Sequence, residues 1–209
     1  SWAFEQNLSF SKGAHLIINT DPHEIQQSMR ETHPTCMSSV PRFWEKVYQA
    51  VKDKIDRSSA MKQSLFRHAL EVGRRYNIDC KSRCKRPSPL LAMEYKLMDK
   101  MVLRLVRKQI GLENAHLFPT AGATVSPAVE RFTHSVGINM IVGYGLTESL
   151  ATVSCDREDM PYTIGSVGRP INGLEVKIDE NDEILLKGPT ITPGYYKRDA
   201  INKEAFAED

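Results

Sequence analysis

Short apolar runs and helix-start signals follow one another along this chain in an order that only a few folds can accommodate. The run Ala115–Thr120 is followed by a predicted helix over Ser126–Val136, with Ser126 as its cap and Pro127 at its first position. A second apolar run, Ile138–Val142, comes directly after that helix. Strand, helix and strand in this order predict a right-handed crossover between parallel strands, and hence an α/β fold.

The first third of the chain shows the same alternation. We predict a buried strand over His15–Asn19 and a helix from Asp21 to about Thr32, which begins with the sequence Asp-Pro-His-Glu. A second short strand is predicted over Thr35–Val40, and Pro41 then opens another helix. The sequence therefore predicts a parallel sheet flanked by helices.

From residue 42 to about residue 110 the pattern is helical, without a strand signal. Four apolar residues there share one helix face at a spacing of four: Phe43, Val47, Val51 and Ile55. This stretch predicts a long helical insertion in the α/β unit. Its middle, residues 81–87, holds four basic residues beside a proline. We interpret that segment as a solvated loop, with contact to an anionic membrane surface or to a partner as the alternatives.

After Asp156 the sequence changes to short alternating runs separated by glycine and proline. Strands are predicted over Ile164–Gly168, Leu174–Ile178 and Glu183–Leu186. A hairpin turn is expected at residues 180–182. We therefore predict two units: an α/β subdomain over residues 1–157, and part of a small antiparallel β subdomain over residues 158–209.

Composition and charge argue against several classes of protein. The chain has 28 lysines and arginines against 26 acidic residues, a formal net charge of +2, so nucleic-acid binding is not expected. No apolar run approaches the ~18 residues that span a bilayer, and the first residues lack the pattern of a signal peptide. The four cysteines, including Cys80 and Cys84, fit reduced thiols better than a disulfide framework or a zinc site. We expect a cytoplasmic protein, with peripheral contact at the inner face of the membrane as a further option.

Two loops after neighbouring predicted strands hold the residues best suited to chemistry, because ligands of open α/β sheets bind beyond the carboxyl ends of strands. Thr120–Thr124 is small enough for a flat ring to lie against its backbone, and Gly143–Glu148 holds an aromatic between glycines. Tyr144 can stack on a nucleobase, Thr147 can donate to a phosphate oxygen, and Glu148 suits Mg²⁺. The alternative is a plain turn in which Thr147 caps a helix and Glu148 favours its positive end.

Gly143–Glu148 resembles the Tyr-Gly-x-Thr-Glu motif of the adenylate-forming enzymes, the superfamily of acyl-CoA synthetases, luciferases and peptide-synthetase adenylation domains. Further segments resemble the same superfamily in the same order along the chain: Ala121–Ala123, Ser126–Glu130, Gly165–Pro170, Glu183–Pro189 and Gly194–Lys197. Upstream, Val40–Tyr48 and the helical insertion after it are similar to the long-chain fatty-acid CoA ligase branch of that superfamily.

This resemblance implies a reaction in two steps. A fatty carboxylate attacks the α-phosphate of ATP and releases pyrophosphate, and the acyl group of the acyl-adenylate then passes to the thiol of coenzyme A. The implied substrates are a fatty acid, ATP and coenzyme A, and the implied cofactor is Mg²⁺. The implied fold is the α/β architecture already predicted from the order of strands and helices.

The resemblance also implies where the nucleotide binds. Tyr144, held between Gly143 and Gly145, would stack on adenine. The opposite wall of the slot would be a strip of small residues: Ala121, Gly122 and Ala123.

Three further roles follow from the resemblance. Thr147 would contact the α-phosphate and Glu148 would hold Mg²⁺, which makes these two the catalytic candidates. Trp44 matches the aromatic that gates the fatty-acid tunnel of the long-chain branch. For Trp44 the alternative is a buried aromatic on an amphipathic helix.

The chain also departs from the pattern of the superfamily. The small loop lacks two consecutive glycines, and Arg198–Ile201 stands where Pro-Glu-Ala-Thr is more usual. The glycine- and hydroxyl-rich phosphate loop does not occur in the chain, and the ribose-binding Thr-Gly-Asp would follow Asp209. We therefore expect an internal fragment that is inactive alone. Two alternatives stay open: an adenylating enzyme for an aryl, short-chain or amino acid, and a stand-alone, non-catalytic nucleotide-binding module.

Overall fold

The computed structural model describes residues 9–21, 23–114, 116–157 and 160–206. Helices occupy Ile25–Thr32 (α1), Pro41–Asp56 (α2), Ala60–Arg74 (α3), Pro89–Met98 (α4), Arg104–Ile110 (α5), Pro127–Ser135 (α6) and Asp199–Ala205 (α7). Strands occupy Phe118–Thr120 (β1), Met140–Tyr144 (β2), Ser154–Cys155 (β3), Arg169–Pro170 (β4), Glu175–Ile178 (β5) and Ile184–Lys187 (β6).

A four-stranded mixed sheet, in the order β1-β2-β3-β4, carries the two candidate loops. β1 and β2 are parallel, with Phe118 opposite Met140 and Thr120 opposite Val142. β3 runs antiparallel to β2, and β4 runs antiparallel to β3. The helix α6 connects β1 to β2 and contacts α2, α3 and β2. The predicted strand, helix and strand, and with them the α/β class, are confirmed.

A hydrophobic core joins the sheet to the helices. Trp44, Phe118 and Ile138 are fully buried in it, and the Trp44 ring meets the Phe118 ring edge to face with centroids 5.6 Å apart. The predicted apolar face of α2 is confirmed. Val47 is buried in the core, and the other three residues of that face pack against it partly buried: Phe43, Val51 and Ile55.

The helical insertion predicted over residues 42–110 is present as α2, α3, α4 and α5. Two π-helical turns interrupt it, at Arg75–Cys80 and Asp99–Leu103, and a 3-10 turn occupies Lys81–Arg83. The π turn at Asp99–Leu103 joins α4 to α5 without a break in the helical path. No helix in the described ranges is both long enough and apolar enough to cross a bilayer.

The strand predicted over His15–Asn19 is wrong. These residues have no regular structure, and Ile17 and Ile18 are 45% and 60% exposed. An apolar run becomes a strand only when a neighbouring strand takes up its backbone hydrogen bonds, and none of the described strands pairs with this run. The apolar pattern alone could not supply that neighbour.

The next two elements are shorter than predicted. α1 begins at Ile25, because the Asp21 side chain accepts the backbone N–H of His23 at 2.8 Å and forms a turn before the helix. Residue 22 lies outside the described residues. The predicted strand Thr35–Val40 is reduced to two isolated parallel bridges, from Cys36 to Leu117 and from Ser39 to Thr120.

Beyond residue 160, β5 and β6 form the predicted antiparallel hairpin, with a turn closed by Asp179. The strand predicted over Ile164–Gly168 is wrong, because Gly165 and Gly168 have φ of +87° and +80°, outside the extended region. Pairing starts only at Arg169, in β4, and continues the four-stranded sheet. The division between residues 157 and 158 stays a prediction.

Candidate functional site

The two candidate loops begin at the same edge of the sheet, because β1 and β2 are parallel neighbours. Residues 121–124 follow β1 and are exposed, whereas Val125 is buried and fixes the far end of that loop. Apart from Gly122 itself and its two chain neighbours, no heavy atom of the described residues lies within 4 Å of the place where a Cβ on Gly122 would stand. The first loop therefore offers an open backbone surface at Gly122, and its role as a wall of a ligand slot stays a prediction.

The second loop is packed tightly against its own chain. A Cβ on Gly145 would lie 1.6 Å from the carbonyl oxygen of Ala151, so only glycine fits there. Thr147–Ser149 forms a 3-10 turn with Leu146 at the cap position, and the Ser149 hydroxyl accepts the Leu146 N–H at 3.0 Å. The alternative in which Thr147 caps a helix is therefore wrong, because Thr147 lies inside the turn and is exposed.

The residues that close the second loop have unusual backbone conformations. Leu150 and Ala151 have φ of +52° and +85°, in the left-handed region that non-glycine residues rarely adopt. Two backbone hydrogen bonds hold them there, from Ala151 N to Leu146 O at 3.0 Å and from Val153 N to Tyr144 O at 2.8 Å. Each such residue costs about 1–2 kcal/mol, so the surrounding structure keeps this turn in a strained form.

Glu148 is held from two sides by the segment that follows β6. Its carboxylate oxygen Oε1 accepts the Tyr195 O–H at 2.7 Å, and its backbone carbonyl accepts the Thr192 N–H at 2.7 Å. The hydrogen bond from Tyr195, followed by one from the Glu148 backbone N–H, lowers the pKa of Glu148 below its ordinary value. Glu148 is therefore ionised at neutral pH, the state that a cation ligand requires.

The arrangement fits a magnesium ion that is shared with a substrate. Within the described ranges, no group of three or more His, Cys, Asp and Glu residues could hold a metal ion by itself. Mg²⁺ commonly binds proteins through one or two carboxylates and takes its other oxygens from phosphates and water. The ionised carboxylate of Glu148, one residue from the Thr147 hydroxyl, suits that mode of binding.

Trp44 lies in the core, below the start of the first loop. Its side chain is 0% exposed, and its indole N–H donates to the hydroxyls of Ser39 at 2.7 Å and Thr120 at 2.9 Å. The alternative of a buried aromatic on an amphipathic helix describes this position. Thr120 directly precedes the small loop, so Trp44 is anchored to the strand from which that loop leaves. Its role in a fatty-acid tunnel stays a prediction.

Sequence reasoning missed a group of ionisable side chains of which three are buried and Tyr162 is partly buried, called here the buried polar cluster: Glu130, His134, Asp156 and Tyr162. Glu130 is 1% exposed, and its Oε2 accepts the Gly165 N–H at 2.8 Å. Burial raises the pKa of Glu130 to about 7 and that of Asp156 to about 6. Both Glu130 and Gly165 lie in segments that resemble the superfamily, but nothing in the sequence pairs them.

The rest of the buried polar cluster lies around a cavity of about 320 Å³. The Tyr162 hydroxyl is 2.6 Å from His134 Nδ1, and burial lowers the pKa of His134 to about 4. The cavity is also lined by His116 and Ile138, which precede β1 and β2. It therefore lies at the amino edge of the sheet, on the side away from the two candidate loops.

Comparison with known proteins identifies what the chain is similar to. The family model described as AMP-binding enzyme matches residues 1–196. A long-chain-fatty-acid–CoA ligase of Mycobacterium bovis, FadD15, is 29% identical over 177 residues, which are 84% of this chain and 28% of that ligase. The rat long-chain-fatty-acid–CoA ligase ACSBG2 is 30% identical over 189 residues, 87% of this chain and 27% of the rat protein. The chain thus spans little more than a quarter of these relatives.

Solved structures show the same fold. An o-succinylbenzoate coenzyme A synthetase of Bacillus subtilis, in complex with AMP, superimposes with a TM-score of 0.54 over 95% of this chain and 32% of the synthetase, at 14% identity. The same synthetase in complex with ATP and a magnesium ion gives a TM-score of 0.50 over 90% of this chain and 30% of the synthetase, also at 14% identity.

Proposed function

Since the chain belongs to the AMP-binding enzyme family, we propose that it is part of a ligase that activates a long-chain fatty acid with ATP and transfers the acyl group to coenzyme A. The observation that carries the proposal is the second loop, Gly143–Glu148. It lies beside the open backbone of Ala121–Ala123 and holds an ionised carboxylate next to a hydroxyl. The names of the mycobacterial and rat relatives support the long-chain acid as the substrate.

In the proposed first step, the loops orient ATP. Tyr144 offers a ring face to adenine, and the backbone of Ala121–Ala123 forms the other wall of the slot. Gly143 and Gly145 have no side chains, so the loop around Tyr144 packs closely against its own chain. The Thr147 hydroxyl donates a hydrogen bond to an oxygen of the α-phosphate and holds it for attack by the fatty carboxylate.

Glu148 would hold Mg²⁺, which when bound supplies positive charge for the phosphate oxygens. The Tyr195 hydroxyl donates a hydrogen bond that orients this carboxylate and lowers its pKa. Trp44, on α2 behind the first loop, would border the entrance for the acyl chain. We further propose that the 209-residue chain does not complete the reaction alone, because it contains no glycine- and hydroxyl-rich phosphate loop.

The proposed reaction is tested by ATP–pyrophosphate exchange in the full protein, started by a fatty acid. We expect Glu148→Gln to lower exchange by about a hundredfold or more, because it removes the charge that holds the cation near the phosphates. Glu183→Gln is the matched control, since Glu183 is an exposed glutamate just before β6 and its replacement should leave exchange unchanged. Near-normal exchange with Glu148→Gln would contradict the assignment of Glu148.

The proposed substrate class is tested by supplying acids of graded length in the same assay. A long-chain ligase should show its highest exchange with acids of long alkyl chain. A preference for short or aromatic acids would contradict the tunnel role of Trp44 while leaving the adenylation chemistry in place. Absence of exchange with every acid, together with normal ATP binding, would instead favour a non-catalytic nucleotide-binding module.

A further inference from the structure

Asn202 lies in the middle of α7, where asparagine is a weak helix former because its amide competes for backbone hydrogen bonds. Its amide binds the main chain of Tyr195, seven residues earlier. Oδ1 accepts the Tyr195 N–H at 2.7 Å, and Nδ2 donates to the Tyr195 carbonyl at 3.0 Å. An amide suits this position because it carries a donor and an acceptor side by side. One side chain thus binds both polar groups of the Tyr195 backbone.

Gly194 gives the Asn202 amide room to approach. Its φ is +145°, a conformation that glycine adopts far more readily than other residues. A Cβ on Gly194 would lie 3.1 to 3.2 Å from three atoms of the Asn202 side chain, closer than ordinary van der Waals contact. The absence of a side chain at residue 194 therefore lets the amide lie directly against the backbone before Tyr195.

The Tyr195 ring is also packed against the end of α7. The ring of Phe206, the residue after that helix, meets the Tyr195 ring edge to face with centroids 6.0 Å apart. Backbone and ring of Tyr195 are therefore both held from α7 and the residue after it. From this position the Tyr195 hydroxyl donates to Oε1 of Glu148 at 2.7 Å.

We propose that Asn202 is a positioning residue for Glu148 and acts through Tyr195. The inference rests on the proposed function, in which Glu148 holds Mg²⁺ beside the phosphates of ATP. Asn202 fixes the main chain of Tyr195, and the Tyr195 hydroxyl then limits the rotation of the Glu148 carboxylate. Side chains that hydrogen-bond a metal ligand from behind commonly orient it and so raise the affinity for the metal.

A second contact keeps the two segments together when this chain of hydrogen bonds is broken. The backbone N–H of Thr192 donates to the backbone carbonyl of Glu148 at 2.7 Å. This bond uses no side-chain atom of Tyr195 or Asn202. Substitutions at these two residues should therefore alter the orientation of the Glu148 carboxylate without releasing the loop that carries it.

Isothermal titration calorimetry of the full protein with α,β-methylene-ATP tests the proposal. The titration is run with Mg²⁺ and again with EDTA, because only the magnesium complex uses Glu148. We expect Asn202→Ala to weaken binding of the magnesium complex about threefold or more and to leave binding of the metal-free analogue unchanged. The measured quantity is an affinity, so it does not depend on turnover or on the acid that is activated.

A double-mutant cycle tests whether Asn202 acts through Tyr195. Tyr195→Phe should cause a similar loss of affinity for the magnesium complex. Adding Asn202→Ala to Tyr195→Phe should then weaken binding by less than about twofold, because both changes remove the same constraint. Asn181→Ala is the matched control, since the Asn181 amide donates to Asp179 at 3.3 Å in the β5–β6 turn. It should leave the affinity unchanged.

Circular dichroism and urea unfolding establish that each variant is folded before it is compared. Asn202→Ser replaces Asn202→Ala if the latter does not fold, and it should weaken binding in the same direction. Unchanged binding of the magnesium complex in the Asn202 variant would overturn the positioning role. Losses that add fully to those of Tyr195→Phe would overturn it too, since Asn202 would then act independently of Tyr195.

Glu148→Gln distinguishes failure of this inference from failure of the proposed function. If Glu148→Gln binds the magnesium complex as tightly as the unaltered protein, the assignment of Glu148 is wrong and the role of Asn202 is overturned with it. If Glu148→Gln weakens binding while the Asn202 variant does not, the role of Asn202 alone is overturned.

Discussion

Glu130 and Glu148 present the same carboxyl group in two different environments. Glu130 lies on α6, is 1% exposed and accepts one backbone N–H, from Gly165. Glu148 lies in the second candidate loop, is partly exposed and accepts the Tyr195 O–H. Burial raises the pKa of Glu130 to about 7, whereas hydrogen bonding lowers the pKa of Glu148. Glu130 is therefore mostly protonated below pH 7, whereas Glu148 is ionised.

A strongly shifted pKa does not by itself mark the reactive part of this molecule. A strongly raised carboxyl pKa lies at Glu130, which ties α6 to the loop before β4. The proposed reaction instead uses a carboxylate that stays charged, together with an exposed hydroxyl at Thr147. Perturbed groups are good candidates for function only where they also face a ligand, and Glu130 faces the protein interior.

Stability should separate the two glutamates most clearly. Glu130→Ala should lower the free energy of unfolding at pH 6 by about 1–3 kcal/mol, because the buried N–H of Gly165 loses its acceptor. Glu148→Ala should cause a much smaller change, since water replaces the lost hydrogen bond at the surface. Urea unfolding followed by circular dichroism measures both. Equal losses of unfolding free energy in the two variants would contradict the different environments of Glu130 and Glu148.

A smaller effect is expected in the pH dependence of stability. The folded pKa of Glu130 is raised, so its protonated form stabilises the fold below pH 4.5, and this contribution is lost as pH rises through about 7. Asp156 acts with the same sign up to about pH 6. His134 acts with the opposite sign, because its pKa is lowered, and its contribution is lost as pH falls through about 4.

Above pH 6.5, Glu130 is therefore the main source of pH dependence in the buried polar cluster. The free energy of unfolding should fall between pH 6.5 and pH 7.5, and Glu130→Gln should flatten that slope while keeping an acceptor for the Gly165 N–H. Unfolding at a series of pH values measures the slope. An unchanged slope in Glu130→Gln would show that the carboxyl group is not titrating inside the folded protein.

The smallest expected effect concerns the hydrogen bond between Tyr195 and Glu148. Tyr195→Phe removes the main cause of the lowered pKa of Glu148, so the acidic limb of the pyrophosphate exchange profile should move to higher pH. Stability should change little. Tyr196→Phe is the matched control, because Tyr196 is adjacent and 85% exposed. If the profile moves equally in both variants, the pKa of Glu148 does not depend on the Tyr195 hydroxyl.

Local signals in the sequence predict the central part of the fold well. Ser126 and Pro127 mark the start of α6, and apolar runs on either side of it give β1 and β2. From the parallel pairing of those strands it follows that both candidate loops leave one edge of the sheet. Each of these inferences needs only residues close together in sequence, which is why they hold.

The interactions that sequence could not supply are the long-range ones. The bond from Gly165 to Glu130 joins residues 35 apart, and the bond from Tyr195 to Glu148 joins residues 47 apart. Spacing carries no information about which distant loop returns to which side chain. The same limit explains the failure at His15–Asn19, where a suitable apolar run lacks a neighbouring strand among the described residues.

The strained turn at Leu150 and Ala151 has a consequence for the engineering of this protein. Replacing either residue by glycine removes the cost of a left-handed conformation, about 1–2 kcal/mol. Glycine also raises the conformational entropy of the unfolded chain, which offsets part of this stabilisation. A screen for heat resistance would therefore find these positions early, directly beside the loop of Tyr144. If such stabilised variants lose catalytic rate in the full protein, the strained turn contributes to turnover. If they keep the rate, the strain is only tolerated.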